Sequence, residues 1–143
     1  VLQVFIQGDP VPASRPRVTR YGTYNSKRYE AYKQKCALVL QSAYRQRIPI
    51  GMAVAISIEV VIPRPKSRPR SGLVSMYWNP DDDYPAPIGG VWGDIDNYVK
   101  AILDAAQLGG VIRNDSQVVE VSATKMAGEI PGIYVQVSIV HPD

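Results

Sequence analysis

The sequence predicts a small α/β (α+β) domain, a mixed β-sheet flanked by two helices within one unit spanning residues 1–143. Three observations predict it. Met52, Val54, Ile56, Ile58, Val60 and Ile62 alternate along one strand face. Tyr29, Tyr32, Cys36, Val39, Leu40 and Ala43 recur as a helical stripe. The elements follow the order β–α–β–α–β–β, which suits a mixed sheet in a single layer.

Each element has its own signal. Val1–Gln7 reads as a strand of mixed apolar character rather than a leader peptide. Residues 8–25 read as a loop rich in proline, arginine and tyrosine. The first helix is predicted over Ser26–Arg47, with Asn25 or Ser26 as its cap and Pro49 as its stop. Residues 63–92 carry no period, and a stretch of this length in a compact domain is usually functional. The second helix is predicted over Asp96–Leu108, with Val99, Ile102, Leu103 and Ala106 facing inward and Gly109–Gly110 ending it. Gln117–Met126 and Ile133–His141 read as strands, and the short segment between them predicts a hairpin.

Composition narrows the chemistry. Cys36 is the only cysteine and His141 the only histidine, which excludes a disulfide within the chain, a cysteine zinc site and a histidine metal cluster. A serine–histidine–aspartate triad does not suit the sequence either. No apolar run reaches the length of a membrane helix, and the expectation is a cytoplasmic protein. Net charge is +3 with a pI near 9.0, a weak pointer to nucleic acid. The distribution says more: Arg15, Arg17 and Arg20 form one cluster, and Arg64, Lys66, Arg68 and Arg70 another. Both lie among prolines and aromatics rather than on a regular helix face.

Against this basic background, acids gather in the second half. Asp94 and Asp96 stand at the entry of the second helix, where an extended backbone points both side chains the same way. Lys100 follows Asp96 by one helical turn, and Asp104 follows Lys100 by one more. Asp115 opens the strand beyond the glycines, and that strand reaches the helix start only if its entry lies at the same end of the sheet. Carboxylates of this kind suit Mg²⁺, a hard ion that takes oxygen ligands. A bound Mg²⁺ activates water and offsets charge on a phosphodiester, and a lysine adds a positive charge beside it. Each piece also has a plainer reading. Asp94 or Asp96 suits a helix cap, Lys100 a solvated partner of Asp96 and Asp104, and Asn114–Ser116 a turn. An EF-hand is excluded, because Val99 and Ala105 occupy the positions that need glycine and glutamate. Asp81–Asp83 reads as a solvated acidic turn.

Taken together, Asp94-x-Asp96-Asn97-x-x-Lys100, Leu103-Asp104 and Asp115-Ser116-Gln117 resemble the RusA family of Holliday junction resolvases. Gly8-x-Pro10, Arg15-Pro16-Arg17 and Pro63-Arg64-Pro65-Lys66-Ser67 extend the resemblance over nearly the whole chain. The resemblance implies Asp94, Asp96 and Asp115 as metal-binding and catalytic acids and Lys100 as the catalytic lysine. It gives Asn97 and Asp104 supporting roles. It implies a homodimer that cuts four-way DNA junctions with Mg²⁺, Mn²⁺ being a possible substitute. A two-fold dimer supplies two sites for two matched cuts. One departure stands out: Val91-Trp92-Gly93 precedes the first acid, where family members often carry basic residues or Lys-Pro.

The two basic clusters are the expected phosphate contacts, and engaging roughly six of them would weaken binding by about three decades between low and moderate salt. Tyr21, Tyr24, Tyr77 and Trp78 lie beside the clusters and suit either stacking on unpaired bases or packing within the core and loops. Two rival readings are a branched-DNA-binding module without catalysis and a nuclease acting on flaps or forks.

Overall fold

The computed structural model describes residues 3–14, 17–24, 26–68, 74–88 and 92–142. Its elements are β1 (Gln3–Gln7), β2 (Arg17–Thr19), β3 (Gly22–Tyr24), α1 (Lys27–Ala43), β4 (Val54–Pro63), α2 (Val74–Tyr77), β5 (Tyr84–Pro85), α3 (Ile95–Leu108), β6 (Val118–Gly128) and β7 (Gly132–Ile139). A single 3₁₀ turn at Asp115–Gln117 precedes β6.

Five strands form one sheet in the order β1-β7-β4-β6-β5. Only β4 and β6 run parallel; the other pairs are antiparallel. β4 takes the centre with one face wholly apolar and the other mixed, carrying Ala55, Ser57 and Glu59 beside Val61. Val54, Ile56, Ile58, Val60 and Ile62 are buried on one side, and Val61 is buried on the other. The first set shares a core with Tyr32, Cys36 and Leu40 of α1 and with Tyr98, Ile102, Ala105 and Ala106 of α3. Both main helices therefore cover the same face of the sheet, and α3 forms part of the connection between the parallel strands.

The predicted hairpin between the last two strands is not formed. β6 and β7 flank β4 on opposite sides, with Val54 facing Val118 on one edge and Ile139 on the other. Residues 129–131 arch over the end of β4, and three residues suffice for two strand spacings of about 4.8 Å each. Pro63 ends β4 at this arch, where Arg64 N–H donates to Gly128 O at 3.0 Å.

Other boundaries also differ from the sequence reading. α1 ends at Ala43 rather than Arg47. Tyr44 leaves helical geometry, and its hydroxyl accepts from Val137 N–H of β7 at 3.0 Å. At the other end Ser26 is the cap, its hydroxyl accepting from Tyr29 N–H. The loop over residues 8–25 contains the β2–β3 hairpin, turned through Arg20 and Tyr21. The long segment 63–92 contains α2 and the short edge strand β5. No helix among the described residues is long and apolar enough to cross a membrane.

Candidate active site

Asp94 is the N-cap of α3 and Asp96 lies in its first turn. Asp94 is extended, with φ −93° and ψ 158°, and its carboxylate makes no capping hydrogen bond. Both acids are exposed, and among the described residues neither has an ion-pair partner. Helix N-termini favour negative charge, so the two carboxylates are tolerated close together here. The backbone leading in is fixed from two sides. Gly93 has φ +68°, and a Cβ there would lie 2.7 Å from Pro12 side-chain carbons. Glycine meets both demands at this position. Opposite it, Lys125 Nζ donates to Gly93 O at 3.0 Å and to Ile88 O at 2.5 Å. Ala13 N–H donates to Asn97 O at 3.0 Å and brings the N-terminal segment onto the same turn.

Asp115 is exposed and starts the 3₁₀ turn before β6. Gln117, the buried polar residue of this turn, fixes it in place. Its Oε1 accepts from Arg113 N–H at 2.7 Å and Asn114 N–H at 3.1 Å. Its Nε2 donates to Pro49 O at 2.9 Å and Met52 O at 3.1 Å. All four of its strongest hydrogen-bonding directions are used inside the protein.

These two ends do not meet within one chain. Asp94 lies beside Lys125, whereas Asp115 precedes Val118 at the opposite end of β6. A strand rise of about 3.3 Å per residue puts about 20 Å between those levels. The length of α3, about 1.5 Å per residue over its 14 residues, gives a similar figure. Accordingly, no three acidic, histidine or cysteine side chains among the described residues lie together in metal-binding range. The strand does run back along the helix, but its entry reaches the far end of the sheet.

Lys100 is exposed on α3 and forms no ion pair with Asp96 or Asp104. Asp104 Oδ2 accepts from the Tyr29 hydroxyl at 2.6 Å, joining α3 to α1. Burial, and then this carboxylate, push the Tyr29 hydroxyl well above its ordinary pKa.

The basic residues fall into different settings. Arg64 is largely buried, donates to Pro80 O, and lies 3.6 Å from Asp83. Arg68 donates to Ser75 O at 3.2 Å, and Lys66 is exposed. Arg20 donates to the Tyr21 hydroxyl and stacks over that ring. Arg17 pairs in β2 opposite Tyr24, whereas Arg15 and Arg70 lie outside the described residues. The sequence reading missed Lys125 and the part played by Gln117. An alternating strand gives no hint that Lys125 points to the helix face. Gln117 was visible only as the third letter of a motif.

Residues 7–138 match the family model described as endodeoxyribonuclease RusA. The chain is also 29% identical over 145 residues to the uncharacterized protein YqaN of Bacillus subtilis (strain 168), with 92% of each covered. The match covers most of the chain, and the protein belongs to the RusA endodeoxyribonuclease family.

Proposed function

We propose that the protein is a homodimeric endonuclease that resolves four-way DNA junctions by paired, symmetric strand cuts. The observation that carries this reading is the placement of uncommitted carboxylates at both ends of β6, Asp94 and Asp96 at one and Asp115 at the other. A metal ion binds its oxygen ligands at about 2.0–2.1 Å, so acids about 20 Å apart along one strand share an ion only if two copies contribute. In a two-fold dimer, Asp94 and Asp96 of one protomer meet the partner's Asp115, and the same contact recurs across the axis. Two sites arise together, which suits two cuts in symmetry-related strands.

The donor set fits Mg²⁺, being hard carboxylate oxygens with no ion-pair partner among the described residues. When bound, that ion supplies charge neutralisation at the phosphate and an acidified water. The protein's own residues do the rest. Asp94 and Asp96 would hold the ion at a helix end that also favours the scissile phosphate. Lys100, one turn further along, places a positive charge beside the phosphate. Lys125 and Gly93 fix the backbone that aims Asp94.

Incubation with a synthetic four-way junction, with Mg²⁺ or with chelator, tests the proposal. Symmetric cutting that needs the ion is expected. Asp96→Asn should lower cutting by about a thousandfold and leave junction binding largely intact. No cutting under any divalent ion would sink the catalytic reading in favour of a binding module. A preference for flaps or forks in competition would replace the four-way junction as the substrate.

A further inference from the structure

A depression of about 460 Å³ opens directly beside Asp94, lined by Tyr77, Pro85, Pro87, Ile95 and Lys125. Its size falls in the range of about 300–1,000 Å³ typical of small-ligand sites. Its walls are mostly apolar, yet it borders an acid of the candidate site. Tyr77 is 47% exposed and Ile95 39% exposed. Folding does not require either side chain there: Tyr77 ends the four-residue α2, and Ile95 opens α3 on its solvent side. Lys125 lies at one wall with two of its three N–H groups held by carbonyls, leaving one donor for a further acceptor.

We infer that this depression seats one unpaired nucleobase of the cut strand, next to the scissile phosphate at the N-terminus of α3. The inference rests on the endonuclease reading and extends it to the origin of structure selectivity. An aromatic ring and flat proline faces suit a base plane, and Lys125 suits a base carbonyl or ring nitrogen. A base stacked in continuous duplex cannot enter. A base at a branch point enters at lower cost, because its pairing and stacking are already interrupted. Branched DNA is thus favoured through capture of a base rather than through reading of its sequence.

The test compares cleavage of two junctions by three proteins: wild type, Tyr77→Ala and Tyr77→Phe. One junction is intact, and the other carries abasic nucleotides on either side of the cut position. With wild type, removing the base should slow cutting about tenfold, the scale of one lost stacking contact. Tyr77→Ala should slow cutting of the intact junction by a similar factor and show no further loss on the abasic one. Tyr77→Phe keeps the ring and should behave as wild type. Losses that multiply in Tyr77→Ala, or a Tyr77→Ala protein as fast as wild type, would overturn the inference while leaving the endonuclease standing. A wild type that cuts neither junction would overturn the endonuclease reading and this subsite together.

Discussion

Lys125 Nζ lies 3.0 Å from the carbonyl oxygen of Gly93, so the inner face of β6 holds the residue immediately before Asp94. The same ammonium holds Ile88 O. One side chain therefore ties together the loop that enters α3 and the strand that follows the Asp115 turn. Lys125→Met keeps the aliphatic stem and removes the donor. Two carbonyls lose a charged partner, and urea unfolding should register a loss of about 2–3 kcal/mol. Junction cutting should fall more than junction binding, because Asp94 loses its fixed backbone before it loses contact with DNA.

Gln117 makes the corresponding anchor at the other end of β6. Gln117→Ala leaves two buried N–H groups and two carbonyls without their partner, and should cost about 3 kcal/mol or more in urea unfolding. Gln117→Glu keeps the size but turns a carboxylate toward Pro49 O and Met52 O, so it should be at least as damaging.

Asp104 has a role that its place in the motif does not reveal. Tyr29→Phe removes the 2.6 Å hydrogen bond to its carboxylate and should destabilise the fold by about 1.5–3 kcal/mol. Asp104→Asn combined with Tyr29→Phe should cost less than the sum of the two single changes, as a double-mutant cycle would measure.

Stability should fall on the alkaline side. Burial raises the Cys36 thiol from 9.0 to about 11 and the Tyr98 hydroxyl from 10.0 to about 12. In each case the folded state keeps a proton that the unfolded chain releases at lower pH. The contribution is complete below pH 9, declines as pH rises past the unfolded values, and is gone above the folded ones. Urea midpoints at pH 8, 10 and 11 should therefore decrease in that order. A rise over this range would contradict the assignment of these groups as buried and protonated.

Much of the fold was legible because periodicity reports burial. The alternation in β4 named its buried face, and the stripes on α1 and α3 named Tyr29, Tyr32, Cys36, Leu40, Ile102 and Ala106 but missed the buried Tyr98, Ala101 and Ala105. Strand neighbours were not legible, because a period-2 pattern names the buried face of a strand and not the strands beside it. Val61 is buried on the face of β4 that the same reading counts as the more polar one. The end of α1 was missed because Tyr44 is drawn to β7, a contact far away in sequence. At the candidate site, Asp94 and Asp96 were visible as a pair, and spacing located the start of α3 to within one residue. What spacing did not supply was the end of the sheet at which Asp115 emerges. That depends on α3 running the length of β6, and it is why the acids separate within one chain.

The most direct measurement mixes two inactive proteins. Asp96→Asn and Asp115→Asn are each assayed alone on a four-way junction with Mg²⁺, then refolded together so that protomers exchange. If each site joins Asp94 and Asp96 of one protomer to the partner's Asp115, the mixed dimer has one site with both changes and one intact site. Neither protein alone should cut, and the mixture should recover single-strand cutting of the junction. A mixture as inactive as its components, beside an active wild type carried through the same refolding, would contradict the shared site.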